Sequence, residues 1–252
     1  TSEYLSIDSE NLLFKKLNGE YMNEFPRLID RTQYNRRKKS LFHQTEFVRK
    51  QLSRTFSENE NVFVIDSMPL EICRNARASR LRICKEDFST SPAKGFCASQ
   101  NQYYFGYKLH GICTFDGVFT SIDLTKANVH DVNYLRDVKV SLSNCTLLAD
   151  KGYIDAGQQL DLFHSANIRL ETPMRVNQGN YKKYPYIFRK SRKRIETLYS
   201  QLCDQFLIRR NYAKTFIGFK TRILSKITAL TVVQYINRFI NNRPINFLKH
   251  AI

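Results

Sequence analysis

The sequence lacks the features that mark several common protein classes. No run approaches the ~20 apolar residues of a membrane-spanning helix. Residues 1–15 have no basic start followed by an apolar stretch, so no signal peptide is predicted. Only nine glycines are present, and none of them forms a nucleotide-binding loop. The six cysteines form no CxxC pair, which favours free thiols in a reducing compartment such as the cytoplasm.

Acidic residues are also scarce relative to basic ones. The chain has 40 Lys and Arg residues against 23 Asp and Glu residues, and its formal net charge is +17. A bias of this size favours a polyanionic partner, most often nucleic acid, over membrane-surface attraction or general solubility. With 252 residues, 42% of them hydrophobic, the chain can form one large domain or two modest ones.

Residues 1–57 are predicted to form a helical, basic N-terminal region that contacts nucleic acid. A helix capped by Asp8 or Ser9 ends before Pro26, and helical spacing of apolar residues restarts over 34–52. The basic cluster 36–39 is either a solvated helix face or a phosphate clamp. Because the chain has no initiator methionine, we expect a further N-terminal part to precede it.

The pattern over residues 58–252 is that of an α/β domain. The segment "NVFVID" is predicted to be a strand buried on both faces, which delivers Asp66 and is stopped by Pro69. Residues 70–100 are expected to be irregular, and Asp116-Gly117 is a hairpin turn signal. The other predicted strands are 102–115, 118–125, 145–150 and 167–173.

The C-terminal part begins with a basic segment, 172–194, that contains tyrosines and no acidic residue. We expect its part 175–194 to bind nucleic acid, with Lys and Arg on the phosphates and a Tyr stacked on an unpaired base. Two helices are predicted after it, over about 190–206 and 218–241.

Three carboxylates stand out from this pattern. Asp66 and Asp150 each end an apolar strand, and the chemistry of α/β proteins gathers at strand ends. Mg²⁺ prefers oxygen ligands, and a third carboxylate would hold it more firmly than two. Glu196 is the best third candidate because it lies about 100° around its helix from Ile195, beside the buried stripe. The three predict a two-metal site for phosphoryl transfer.

Other residues compete for these roles. Asp131, in a loop, and Asp123, in a strand, are alternative second ligands. His110 and His130 are better explained as hydrogen-bonded structural residues. The basic residues predicted to contact DNA are Arg36, Arg37, Lys38, Lys39, Arg74, Arg77, Lys108, Lys151, Lys182, Lys183, Arg189, Arg192 and Lys193.

Several segments, taken in order, carry a family resemblance. They are "SENLLFKKLNGEYMNEFPRLIDRTQYNRRKK", "VIDSMPLEICRNAR", "YFGYKLHGICTFDG", "TKANVHDVNYL", "LLADKGYID" and "RKRIETLYSQL". Together they resemble a DDE transposase of bacterial insertion sequences, most closely the insertion-sequence-982 family. The resemblance spans nearly the whole chain.

This resemblance implies a ribonuclease-H-like mixed sheet flanked by helices, which cuts and joins DNA with Mg²⁺ or, in its place, Mn²⁺. The catalytic carboxylates of the family fall on Asp66, Asp150 and Glu196. The expected partners are transposon ends and target DNA, bound by a homodimer, with no membrane. A structure-specific nuclease of the same fold and an inactive DNA-binding remnant are the competing hypotheses.

Related transposases often carry a Tyr-Arg-Glu-Lys signature around the final glutamate. Arg192 matches the Arg of that signature. Arg189 stands at the Tyr position and Cys203 at the Lys position. The chain therefore matches the signature at the Arg and the Glu. It lacks the Tyr and the Lys, so the DNA-end contacts that those two residues make are not expected here.

Overall fold

The computed structural model describes residues 9–174 and 181–248, together with Ser2 and Ile7. The helices are α1 (Glu10–Gly19), α2 (Arg31–Ser40), α3 (Phe42–Ser57), α4 (Leu135–Ser141), α5 (Ala156–Ala166), α6 (Tyr186–Asp204) and α7 (Phe216–Tyr235). The strands are β1 (Val62–Cys73), β2 (Ala93–Cys97), β3 (Gln102–Thr114), β4 (Phe119–Lys126), β5 (Cys145–Leu148) and β6 (Ile168–Glu171). Within that part of the chain, no helix is both long and apolar enough to cross a membrane.

The strands form one mixed sheet in the order β2-β3-β1-β5-β6, and β4 also pairs with β3. The strands β1, β2 and β4 run antiparallel to β3, whereas β5 and β6 continue the sheet in parallel with β1. The central position of β1 explains its apolar sequence, since both of its faces are covered. The predicted α/β fold, a mixed sheet flanked by helices with a helical N-terminal region, is confirmed.

Alternation along β1 divides the core into two faces. Val64 and Met68 pack on the side that α6 and α7 cover, which we call the α6 face. Phe63 and Ile65 pack on the opposite side, with residues of α4 and α5, which we call the α4 face. Because successive side chains of a strand point to opposite faces, the parity of a residue number assigns each β1 side chain to one of them.

The N-terminal helices pack against the sheet domain through α3. Arg49 of α3 is fully buried and donates a hydrogen bond to the carbonyl oxygen of Phe119 at 2.7 Å. Its charge is matched by Glu46, 2.7 Å away. A buried arginine needs such partners, so this contact holds α3 against β4. The division of the chain into regions 1–57 and 58–252 stays a prediction.

Several predicted boundaries were wrong. Strand β1 continues through Pro69 to Cys73. Its pairing with β5 stops at Val64, so beyond that point one edge of β1 is open, and an open edge tolerates a proline. The segment expected to be irregular contains β2, and the helical pattern over 34–52 is broken at Leu41. The final helix is close to its predicted bounds, and a π-helical turn, Ile236–Ile240, extends it.

Candidate active site

The register of β1 and β5 brings two aspartates together. Val64 pairs with Leu148 in the parallel ladder, and Asp66 and Asp150 each lie two residues further along. Val64 and Leu148 both belong to the α6 face. Since side-chain direction repeats every two residues, Asp66 and Asp150 leave the sheet on that same face.

Helix α6 contributes the third carboxylate. Its buried stripe includes Ile195, Leu198 and Tyr199, which pack on the α6 face of the sheet. Glu196 lies beside this stripe and is exposed. Arg192 lies one turn before Glu196 and is half-buried. The helix therefore presents a carboxylate and a guanidinium to the sheet end that carries the two aspartates.

Asp66 is placed in an unfavourable electrostatic environment by this arrangement. Burial, together with the negative charges of Asp150 and Glu196, raises the pKa of its carboxyl to about 7. The N–H of Ser67, 2.8 Å from Asp66 Oδ1, and the charge of Arg192 act in the opposite direction. Asp66 is thus acted on by both of the other predicted carboxylates, and the positive charge of Arg192 offsets only part of their effect.

Asp150 is held by a tight turn. Its Oδ1 accepts a hydrogen bond from the backbone N–H of Gly152 at 2.7 Å, which caps the 3-10 turn Lys151–Tyr153. A Cβ atom at Gly152 would lie 2.9 Å from that oxygen. The glycine therefore allows the turn to close on the aspartate, and the backbone fixes the carboxylate of Asp150.

Asp131, the rival second ligand, is engaged on the other face of the sheet. Its Oδ1 accepts a hydrogen bond from Ser67 Oγ at 2.9 Å and forms an ion pair with Lys108 Nζ at 2.9 Å. Ser67 follows Asp66 and so points to the α4 face. The carboxylate of Asp131 is thus matched by a lysine, whereas the charges that act most strongly on Asp66 are Asp150, Arg192 and Glu196.

His110, Asp123 and His130 are the remaining candidates from the sequence, and the side-chain contacts of His110 are those of a structural residue. His110 is buried, its Nε2 lies 2.8 Å from Thr125 Oγ1, and its ring stacks on Tyr134 at 4.7 Å. Burial lowers the pKa of His110 to about 4, so the ring is neutral near pH 7. Asp123 pairs with His110 in the β3–β4 register. His130 is exposed and directly precedes a short 3-10 turn.

Most of the basic residues predicted to contact DNA are on the surface. Those that are exposed are Arg36, Arg37, Lys39, Arg74, Arg77, Lys151, Lys182, Lys183, Arg189 and Lys193. Lys38 and Arg192 are half-buried. Lys108 is ion-paired with Asp131 and also donates to the carbonyl oxygen of Val129, so we leave it out of the proposed DNA-binding set. Residues 175–180 of the basic segment lie outside the described residues.

Two tyrosines near the carboxylates were missed by the sequence reasoning. The hydroxyl of Tyr199 donates a hydrogen bond to the backbone carbonyl of Asp66. The hydroxyl of Tyr153 is buried without a partner in the described residues, and burial together with nearby Asp131, Asp66 and Asp150 raises its pKa. For Tyr199 the sequence does carry a signal, because this tyrosine falls among the apolar residues of the buried stripe of α6. A buried hydroxyl requires a hydrogen-bond partner, so a tyrosine at such a position indicates a polar contact.

The chemistry of the donors fits a divalent cation. Carboxylate oxygens are the ligands that Mg²⁺ prefers, and a cation would balance the excess negative charge around Asp66. In the positions described for 9–174 and 181–248, no three Asp, Glu, His or Cys side chains converge closely enough to hold one ion. Glu196 is the exposed member of the set, whereas Asp66 and Asp150 are half-buried.

Comparison with known proteins places the chain in a family. The family model described as "Transposase DDE domain" matches residues 57–232, which include all three carboxylates. The chain belongs to this family. Among solved structures it is similar to the "Mos1 transposase paired-end complex with left transposon end", with 13% identity over 93% of this chain and 72% of that chain and a TM-score of 0.26. No match was found among curated proteins.

Proposed function

We propose that the protein is a DNA transposase of the insertion-sequence-982 type, which cleaves DNA at the ends of its element and joins them to a target. The observation that carries the proposal is the arrangement of Asp66, Asp150 and Glu196. Asp66 and Asp150 leave the sheet on the face that α6 covers, and the charges of Asp150 and Glu196 both act on Asp66. Membership of the DDE transposase family supports the same conclusion.

The three carboxylates would hold Mg²⁺, with Mn²⁺ as a substitute. When bound, the ions supply Lewis-acid activation of the attacking oxygen and stabilise the leaving oxygen. The protein fixes two of the ligands through its backbone, because Ser67 N–H holds Asp66 and Gly152 N–H holds Asp150. Preorganised ligands of this kind lower the cost of assembling the site.

Basic residues beside Glu196 would bind the scissile DNA. Arg189, Arg192 and Lys193 precede Glu196 by three to seven residues and so share its side of α6. Arg192 is half-buried, and its guanidinium carries further N–H donors of the kind that bind phosphate oxygens. Arg189 lies over the ring of the exposed Tyr186, 5.9 Å from its centroid. This surface combines charge for phosphates with an aromatic face for a base.

The proposed reaction consists of two in-line displacements at phosphorus. Water first attacks a phosphodiester at the element end, which breaks the bond between phosphorus and the 3′ oxygen and leaves a 3′ hydroxyl and a 5′ phosphate. That hydroxyl then attacks a target phosphodiester, forms a new ester and releases a target 3′ hydroxyl. Both steps are in-line displacements at a phosphodiester, so ions held by Asp66, Asp150 and Glu196 would supply the same activation in each.

The test uses the purified protein and a plasmid that carries the two flanks of its own gene. Cleaved and joined products are measured with Mg²⁺ or Mn²⁺ for wild type and for Asp66→Ala, Asp150→Ala and Glu196→Ala. Asp161→Ala is the matched control, since Asp161 pairs with Lys139 on the helices of the α4 face. We expect each of the three variants to lose cleavage and the control to keep it.

Three results would count against the proposal. Full activity in any one of the three variants would remove that residue from the site. Cleavage without joined product would make the protein a nuclease. Salt-sensitive DNA binding without cleavage in wild type would make it an inactive remnant.

A further inference from the structure

Tyr199 ties α6 to the backbone of the residue that carries the central carboxylate. It lies three residues after Glu196 and is 7% exposed. Its hydroxyl donates a hydrogen bond to the carbonyl oxygen of Asp66 at 2.9 Å, and the carbonyl oxygen of Leu109 lies 3.4 Å away. The contact therefore joins the helix of one proposed ligand to the strand of another.

The space for this hydroxyl is provided by Gly111. Gly111 is the partner of Asp66 in the β1–β3 register. A Cβ atom at Gly111 would lie 2.8 Å from Tyr199 Oη and 2.6 Å from Phe119 Cε1. Any larger residue would push the tyrosine away from the strand. The glycine thus permits the close approach of α6 to β1 at the level of Asp66.

Packing does not require the hydroxyl of Tyr199. The ring of Tyr199 already packs against that of Phe119, with 5.7 Å between centroids, and a phenylalanine would fill the same volume. A buried hydroxyl is costly unless it forms a hydrogen bond, and a carbonyl oxygen has a second lone pair to accept one. The bond therefore adds a directional constraint that the apolar stripe of α6 does not supply.

That constraint acts on Glu196. Because Glu196 and Tyr199 are on adjacent turns of one helix, fixing the Tyr199 hydroxyl to the Asp66 carbonyl fixes the position of the Glu196 backbone relative to Asp66. Ligands that share an ion must be held within about 0.5 Å of their productive geometry. Asp66 and Asp150 are held by backbone N–H groups, but Glu196 projects from an exposed helix surface.

We propose that Tyr199 is a positioning residue, whose hydroxyl sets the spacing between Glu196 and Asp66 that a shared divalent cation requires. The inference rests on the proposed function, since it assigns Glu196 and Asp66 as ligands. Tyr199 itself would touch neither the ion nor the DNA. Its contribution should therefore appear as metal affinity, with the fold and DNA binding preserved.

The test compares Tyr199→Phe with Tyr107→Phe. Tyr107 is a matched control because it is 1% exposed and its hydroxyl also donates to a backbone carbonyl, that of Thr90, at 2.6 Å. Binding of Mn²⁺ to each protein without DNA is measured from the spin-resonance signal of the free ion. The loss of one hydrogen bond, worth about 1 kcal/mol, should weaken Mn²⁺ binding about fivefold in Tyr199→Phe alone.

A second readout separates positioning from stability. We expect both variants to unfold at temperatures lower by a few degrees, roughly 2–4 °C for a chain of this size. In Tyr199→Phe the Mn²⁺ concentration for half-maximal cleavage should rise, and the rate at saturating Mn²⁺ should recover. In Tyr107→Phe that concentration should not change.

The outcomes distinguish this inference from the function on which it rests. Asp66→Ala is included in the same Mn²⁺ titration. If Asp66→Ala loses Mn²⁺ binding and Tyr199→Phe binds like wild type, the role of Tyr199 is wrong and the metal site stands. If Asp66→Ala also binds like wild type, the metal site itself is wrong.

Discussion

Asp66 and Asp131 lie near the same end of one sheet, on opposite faces, and their environments differ in charge balance. Asp131 is matched by Lys108 at 2.9 Å and by the hydroxyl of Ser67. Asp66 is surrounded by two further carboxylates, and only Arg192 among its strongest neighbours is positive. The first arrangement is complete without a ligand, whereas the second leaves negative charge that a cation would balance.

The difference shows how a structural carboxylate can be told from a functional one. A buried carboxylate that has its own lysine contributes to the fold, and removing either partner exposes the other to an unfavourable environment. A carboxylate held close to like charges costs stability, and such a cost is typical of residues retained for chemistry. We prefer Asp150 over Asp131 as the second ligand because the charge of Asp150 acts on Asp66, whereas Asp131 is already matched by Lys108.

The largest difference expected between substitutions of Asp66 and Asp131 is in the rate of DNA cleavage. Asp66→Asn keeps the shape of the side chain and removes its charge, so cleavage should fall by about 100- to 1,000-fold, a loss typical of removing one strong transition-state interaction. Asp131→Asn should cleave within about tenfold of wild type at a temperature where it is folded. Rates on the same labelled DNA substrate provide the measurement. Equal losses in both variants would contradict the distinction.

The pH dependence of stability tests the α4 face. The pKa of His110 is about 4 in the folded protein, lowered chiefly by burial, and near 6.5 when unfolded. As the pH falls, His110 therefore takes up a proton in the unfolded chain before it does so in the folded protein. Its contribution to the free energy of unfolding is fully present above pH 6.5 and is lost as the pH falls towards 4. The shift corresponds to roughly 3 kcal/mol. Asp131 and Asp123 oppose the shift, and Lys108 adds to it.

The measurement for His110 is urea unfolding between pH 4 and 8. It is best made in the Asp66→Asn background, because the raised pKa of Asp66 gives that residue the opposite dependence between about pH 4 and 7. His110→Gln should flatten the curve. The control His164→Gln changes an exposed histidine on α5 and should leave the slope unchanged. If the free energy of unfolding still depends steeply on pH in His110→Gln, another group is responsible for that dependence.

A smaller effect, of opposite sign for the two aspartates, is expected on stability without metal. At pH 8.5 in a chelator, Asp66→Asn should stabilise the fold by roughly 2 kcal/mol, because it removes a carboxylate that burial and like charges disfavour. Asp131→Asn should destabilise it by about 1–3 kcal/mol, because Lys108 loses its partner. Urea unfolding gives both values. Destabilisation in both variants would mean that Asp66 is balanced by groups in the protein.

The smallest expected effect is on DNA affinity. Arg189→Gln and Lys193→Gln should each lower affinity several-fold and reduce the salt slope by about one unit, because each removes one phosphate contact. Lys139→Gln is the matched control, since Lys139 pairs with Asp161 on the helices of the α4 face. Binding is measured over a salt series in a chelator, so that cleavage does not interfere. An unchanged slope in both α6 variants would place the DNA elsewhere.

The candidate site could be predicted from the sequence because its signals are local. An apolar run that ends in aspartate marks a strand end at Asp66 and at Asp150, and helical spacing places Glu196 beside the buried stripe of α6. The hairpin turn at Gly117, where φ is +93°, also follows from a local preference. Each of these depends on a few consecutive residues.

The features that the sequence did not predict depend on contacts between distant segments. Pro69 was expected to end β1, but the edge that it leaves unpaired is open only because β5 is short. Arg49 looks like one more charge on a basic helix, and its burial follows from carbonyl groups of β4, which come much later in the chain. The hydrogen bond from Tyr199 to the Asp66 carbonyl likewise depends on Gly111, which pairs with Asp66 on the neighbouring strand β3.

The central claim is that Asp66, Asp150 and Glu196 together hold divalent cations. Anomalous diffraction from a crystal of the protein soaked in Mn²⁺ tests it most directly, because it locates the ion independently of activity. The account predicts a peak within about 2.0–2.6 Å of oxygens from Asp66 and Asp150, with Glu196 turned towards it. A peak bound by Asp131 with no density at Asp66, or no peak at either face, would contradict it.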